Sequence, residues 1–98
     1  MKLISIIMAD GSRDFGVLPQ TYGWTALRLH LFLLPGLVET GFITDGITEG
    51  WLDLDYQKHH FSVNDQNGDY WFFVDDPTCP DAILTAVLEH CAGLLGEG

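Results

Sequence analysis

Between Val38 and Asp76, apolar and polar side chains alternate and the alternation is broken at short intervals by turn residues. A period of two with such breaks predicts an antiparallel meander over Val38–Thr44, Gly50–Tyr56, His59–Asp65 and Asp69–Asp75. Asp45-Gly46 and Asn67-Gly68 are two-residue hairpin signals, because both central positions of a type I′ turn need positive φ. Gln57-Lys58 is a weaker signal, chosen because the patterns on either side match across it. Turns at Gln57-Lys58 and Asn67-Gly68 put Leu54 opposite Phe61, Leu52 opposite Val63, Val63 opposite Phe72 and Phe61 opposite Val74. The two registers agree on one core face: Leu52, Leu54, Tyr56, Phe61, Val63, Phe72 and Val74. The other face then carries Trp51, Asp53 and Asp55, beside His60, Ser62 and Asn64, beside Trp71 and Phe73.

The remaining segments complete an α+β pattern. Lys2–Ala9 is a short isoleucine-rich run closed by Asp10-Gly11-Ser12, apolar on both faces, and reads as a strand inside the sheet. Arg13–Gly23, punctuated by Gly16, Pro19 and Gly23, reads as a loop with a short strand at Phe15–Leu18. Trp24–Leu34 alternates like a strand, but its leucines and alanine favour helix, and Pro35-Gly36 supplies a sharp stop; a helix is expected. Pro80–Leu95 is the clearest helix, with Thr78 as its expected cap, proline in the first turn, and Ile83, Leu84, Val87, Cys91, Leu94 and Leu95 on one face. Gly96-Glu97-Gly98 reads as a frayed end. The expectation is a single domain over residues 1–98. Its order is β-α-β-β-β-β-α, a mainly antiparallel sheet of about five strands with two helices packed mostly on one face.

Composition narrows the partners. Hydrophobic residues make up 47% of the 98-residue chain, enough for a packed core without a metal or disulfide staple. Fourteen acidic residues against four basic ones leave a formal net charge of −10. Such a surface repels nucleic-acid phosphates and anionic lipid headgroups, and it speeds encounter with a basic protein. Neither nucleic acid nor membrane is therefore expected as a partner. The apolar run at the N-terminus is too short for a signal peptide, and no stretch reaches the length of a membrane span. Cys79 and Cys91, if both lie on the last helix, stand about 18 Å apart, beyond disulfide reach, and read as free thiols in a reducing cytoplasm.

The candidate chemistry is concentrated on the face opposite the core. Trp51, Trp71 and Phe73 among Asp53, Asp55, His60 and Asn64 form an aromatic patch framed by acids, the kind of surface that protein interfaces use as anchors. Asp55 and His60 stand diagonal to or directly opposite each other across a hairpin, and Ser62 completes a list of triad residue types, but no nucleophile turn or oxyanion donor accompanies them. His59-His60, Asp75-Asp76 and His90-Cys91 are adjacent pairs whose side chains diverge, and no metal-chelating spacing occurs. Asp65–Asp69 starts like a calcium loop but lacks the glutamate that closes one, so it reads as a hairpin turn. His30 lies in an apolar arc and should be a buried histidine with a backbone partner. No cofactor or metal is expected. The sequence points to a small acidic non-catalytic binding protein, of inhibitor, immunity-like or adaptor type, contacting a basic protein through Trp51, Asp53, Asp55, His60, Asn64, Trp71 and Phe73. The alternatives are a self-associating protein, such as a homodimer, and a small-ligand or hydrolytic enzyme built on Asp55 and His60.

Overall fold

The computed structural model describes residues 3–44 and 50–96. Its centre is one antiparallel sheet of six strands. In chain order the elements are β1 (Ile6–Ile7), β2 (Arg13–Pro19), α1 (Trp24–Leu31), β3 (Val38–Thr44), β4 (Gly50–Tyr56), β5 (His59–Asn64), β6 (Asp69–Val74) and α2 (Asp81–Leu95). The lateral order is β1-β2-β6-β5-β4-β3, so the meander β3 to β6 is continuous and β2 joins it beside β6.

The meander has the register that alternation predicts: Leu54↔Phe61, Leu52↔Val63, Val63↔Phe72 and Phe61↔Val74. Gln57 and Lys58 both take positive φ, as a type I′ hairpin requires. Asn67 and Gly68 do too, but there the chain adds one 3-10 turn, Gln66–Gly68, before β6. The Asp45-Gly46 turn lies outside the described residues; Thr44 and Gly50 on either side of it are paired.

Two segments differ from expectation. β1 is an edge strand of two residues, and Ile6 and Ile7 are 51% and 59% exposed, because only β2 pairs with them. The interior position belongs instead to the segment expected to be a loop with only a short strand at Phe15–Leu18: β2 runs for seven residues between β1 and β6, making six strands rather than five. A bulge between Asp14 and Gly16 lets it carry a glycine, and that glycine is needed. A Cβ on Gly16 would come 2.5 Å from Leu88 Cδ2, so its absence lets α2 lie directly on β2.

Both helices cover the same face. Phe15, Leu18, Leu52, Leu54, Phe61, Val63, Tyr70, Phe72 and Val74 from the sheet are buried against Leu27 and Leu31 of α1 and Leu84, Val87, Leu88, Cys91 and Leu95 of α2. α1 ends three residues earlier than its pattern suggests, and it starts at Gly23 without a side-chain cap. α2 begins at Asp81 with Pro80 at its cap; Thr78 does not cap it, because its N–H and hydroxyl both donate to Asp76 Oδ1 in the preceding turn. Cys79 precedes the helix, and both cysteines are buried free thiols. Among the described residues, no helix is long and apolar enough to cross a membrane.

The two helices meet at a histidine pair. His30 Nε2 lies 2.7 Å from the His90 carbonyl and His90 Nε2 lies 2.6 Å from the His30 carbonyl, with the rings stacked 4.2 Å apart. Each Nε2 therefore carries the proton and donates, which gives His30 the backbone partner expected of it, although its ring at the helix–helix contact is half-buried rather than buried.

Candidate functional site

With both helices on one side, the other face of the sheet is bare. Register arranges its side chains in rows across the strands. One row runs Ile43, Trp51, Asn64, Trp71, Val17; the next runs Gly41, Asp53, Ser62, Phe73, Asp14, Ile6; a third holds Val38, Asp55 and His60. All seven residues singled out from the sequence stand on this face.

A face without helices could have left its polar side chains open to water, yet Asn64 is only 6% exposed, Asp14 3% and Ser62 8%. The aromatic rings explain the burial of the β5 pair. Trp51 on β4 and Phe73 on β6 are separated by β5, a backbone gap of about 9.6 Å. Their ring centroids are nevertheless 6.4 Å apart, with planes within 13° of parallel. The rings therefore lean toward each other over β5, crossing it between Ser62 and Asn64. Trp51 is still 43% exposed, so the outer side of the pair faces solvent. Trp71 stands apart from this pair: its indole N–H donates to the Gln66 carbonyl at 3.0 Å and ties the β5–β6 turn to the sheet.

Beside the rings is a carboxylate cluster. Asp53 Oδ1 accepts from Ser62 Oγ at 2.9 Å and from Trp51 Nε1 at 3.1 Å, and His60 Nε2 lies 3.4 Å away. His60 Nδ1 is 2.7 Å from Asp55 Oδ1, so the imidazole is held between two carboxylates. The hydrogen bond to Asp55 raises the His60 pKa above its usual 6.5, against partial burial, with the nearby charges of Asp75 and Asp53 adding to the rise. This geometry holds a proton. It does not activate a nucleophile, because the Ser62 hydroxyl donates to Asp53 and the second His60 nitrogen also faces Asp53. Among the described residues, no group of three histidine, cysteine, aspartate or glutamate side chains could hold a metal ion.

Two atoms on this face are out of place in a finished core. Asn64 Oδ1 and Asp14 Oδ1 are buried and have no hydrogen-bond partner among the described residues. Most buried polar atoms in folded proteins are paired, and an unpaired one in a native structure asks for an explanation. Burial pushes the Asp14 pKa up, with the Gly16 backbone N–H pulling it the other way. Asp14 belongs to the segment read as a loop, and only treating Asp14–Leu18 as a strand would have placed it on this face.

Asp14 makes a testable contribution. An acid whose pKa is higher folded than unfolded loses stability as pH rises from the unfolded value near 3.8 through the folded one, and stays penalised above both. Asp14→Asn should therefore stabilise the protein by about 1 kcal/mol at pH 7. The gain should shrink as pH is lowered through the raised pKa, measured by urea denaturation at pH 7 and pH 4.

The other polar clusters serve the fold. Arg28 makes a bidentate ion pair with Glu39 at 2.7 and 2.8 Å and lies over the Phe42 ring, fastening α1 to β3. Asp65 accepts from the indole of Trp24, the Gln20 amide and the backbone N–H of Gly50. The carboxylate suggestive of a calcium loop thus faces inward, toward N–H donors. Tyr70 donates to the Tyr22 carbonyl, and its burial pushes its pKa up to about 12.

No protein-family model, curated protein or solved structure matches this chain.

Proposed function

We propose that this chain is a small, non-catalytic binding protein that docks a basic surface of another protein on the open face of its sheet. The observation that carries this reading is the composition of that face. The Trp51–Phe73 ring pair stands partly in solvent, Asp14, Asp53 and Asp55 surround it, and no strand position on the face holds a lysine or arginine. Aromatic anchors supply contact area that survives desolvation, and the carboxylates select cationic partners. The net charge of −10 adds long-range attraction to the same partners. An inhibitor, immunity-like or adaptor role is consistent with such a surface, acting in the cytoplasm, where Cys79 and Cys91 remain thiols.

The test places a photo-crosslinking benzoylphenylalanine at Val17, which is exposed on the open face opposite Trp71, or at Leu29 on the exposed side of α1 as a control, in cells that make the protein. A discrete adduct with a basic protein is expected from position 17 and not from 29. It should be lost at high salt and in the Asp53→Asn/Asp55→Asn double variant. Equal crosslinking from position 29, or indifference to salt and to the double variant, would refute the reading.

Self-association is the second reading, and it draws on the unpaired edge of the sheet at β3. Edge strand β3 exposes Val38 and Ile43 at the rim of the open face, and Leu29 of α1 and Phe32 and Leu33 just past its end are exposed beside it. Two copies meeting through the open face would instead bring Asp53 and Asp55 against their own likenesses. An adduct of twice the 10.9 kDa chain mass, formed from position 29, would favour the β3 edge.

A further inference from the structure

We infer that the Trp51–Phe73 pair is a clamp for one arginine side chain of the partner protein, with Asn64 Oδ1 and the Asp53 carboxylate as the acceptors for its guanidinium. This rests on the reading of the open face as a protein-binding surface.

Three observations converge on a guanidinium. The first is the unpaired acceptor. Asn64 lies 94% buried (6% exposed) beside the ring pair, and its Oδ1 accepts from no donor among the described residues. An amide oxygen can only accept, so what it lacks is an N–H or O–H from outside. The second is the pair of parallel aromatic planes, 6.4 Å between centroids and within 13° of each other. A planar cation stacks on such faces, and tryptophan is the best of the aromatic acceptors. The third is Asp53. Its Oδ1 is occupied by Ser62 and Trp51, whereas its Oδ2 stands 3.7 Å from where a Cβ on Gly41 would sit. Because residue 41 has no side chain, no Cβ covers that oxygen from the neighbouring strand.

Arginine satisfies all three. Its guanidinium is planar, is weakly hydrated for a cation, and projects five N–H groups in a fixed fork, so it can stack on an indole while donating in two directions. A lysine ammonium is a compact, strongly hydrated point charge that would serve the carboxylate but not the stack. An anion is excluded by Asp14, Asp53 and Asp55. Entry requires Trp51 to tilt away from Phe73. Trp51 is the mobile member because it is the more exposed, and its indole N–H is held by Asp53, whose acceptor capacity the guanidinium then takes over.

The test uses three blocked tripeptides as probes: acetyl-Gly-Arg-Gly-amide and its lysine and citrulline counterparts. Each is titrated into the full chain and followed by the NMR signals of the Asn64 side-chain amide and the Trp51 indole N–H. The arginine peptide should shift both signals saturably. The lysine peptide should bind about fivefold more weakly or worse, and citrulline, which is neutral, should not saturate. Trp51→Ala should abolish the response. Asn64→Val, which removes the acceptor and suits a strand, should bring the arginine-to-lysine ratio close to one, with dispersed amide spectra showing that each variant is folded. Equal response to arginine and lysine in the wild type would overturn the clamp, as would shifts that bypass Asn64 and Trp51, or no shift at all. None of these outcomes touches the crosslinking result, so the clamp can fail while the docking face stands.

Discussion

Replacing Gly50 with alanine is expected to destabilise the protein by about 3 kcal/mol and to lower its melting temperature by more than about 10 °C. The position is strict because of a ring, not because of backbone conformation. A Cβ on Gly50 would come 2.3 Å from Trp24 Nε1, 2.5 Å from Cε2 and 2.9 Å from Cζ2. A flexible side-chain end could step aside from such a contact, but this ring is pinned on three sides. It packs on Phe42 at 5.3 Å and edge-on to Tyr70 at 4.8 Å, and its N–H donates to Asp65 Oδ2 at 2.9 Å. One added methyl therefore breaks the indole's hydrogen bond or pushes the first turn of α1 off the sheet. In a double-mutant cycle, Gly50→Ala should cost much less in a Trp24→Ala background, since the atoms it would strike are gone. Thermal denaturation of the four proteins measures this. A Gly50→Ala chain as stable as the parent would mean that Trp24 does not occupy this seat.

Removing the Asp65 carboxylate, as in Asp65→Ala, is expected to cost about 2–3 kcal/mol. Three donors from separate parts of the chain end on this side chain: the Gly50 backbone N–H at 2.7 Å on Oδ1, and Trp24 Nε1 and Gln20 Nε2 at 2.9 and 3.2 Å on Oδ2. Gly50 is buried, so its orphaned N–H would carry the full desolvation penalty. Asp65→Asn should recover part of the loss, because an amide oxygen can still accept from Gly50 while its NH₂ opposes the donors of Trp24 and Gln20. Urea denaturation gives the energies. Hydrogen exchange at the Gly50 amide localises them, since that exchange should accelerate in Asp65→Ala more than in Asp65→Asn. Equal stability of all three chains would show that the carboxylate is not what joins the α1 end of the fold to β4.

The two sites show how far the chain could be read without its fold. The core face of the meander was legible from alternation alone, because a strand's side chains point to opposite faces by a local rule, and two independent turns demanded the same register. Every residue named for that face is buried in the structure. For the same reason the open face could be listed in advance, from Trp51 to Phe73. Helix α2 was legible from its stripe, although Leu88, the residue that lies on Gly16, was not counted in it.

The Arg13–Pro19 strand was obscured by the residues that fit it to its place. Its glycine makes room for α2, its proline closes the strand, and Asp14 puts a carboxylate on an otherwise apolar run, so the segment carries the composition of a loop. Conversely, Ile6 and Ile7 look like interior positions and lie at an edge. Lateral strand order depends on pairing between segments more than fifty residues apart, and alternation within one strand carries no information about it.

By itself the sequence determined the periodic elements, the meander's register, the two faces and the charge that any partner must meet, since each follows from neighbours along the chain or from a sum over it. Only the tertiary structure decided that β2 rather than β1 lies inside and that Trp51 and Phe73 lean together across β5. It alone left the Oδ1 atoms of Asn64 and Asp14 buried without a hydrogen-bond partner among the described residues. Those facts are set by contacts between distant segments, whose geometry is fixed only when the whole core packs.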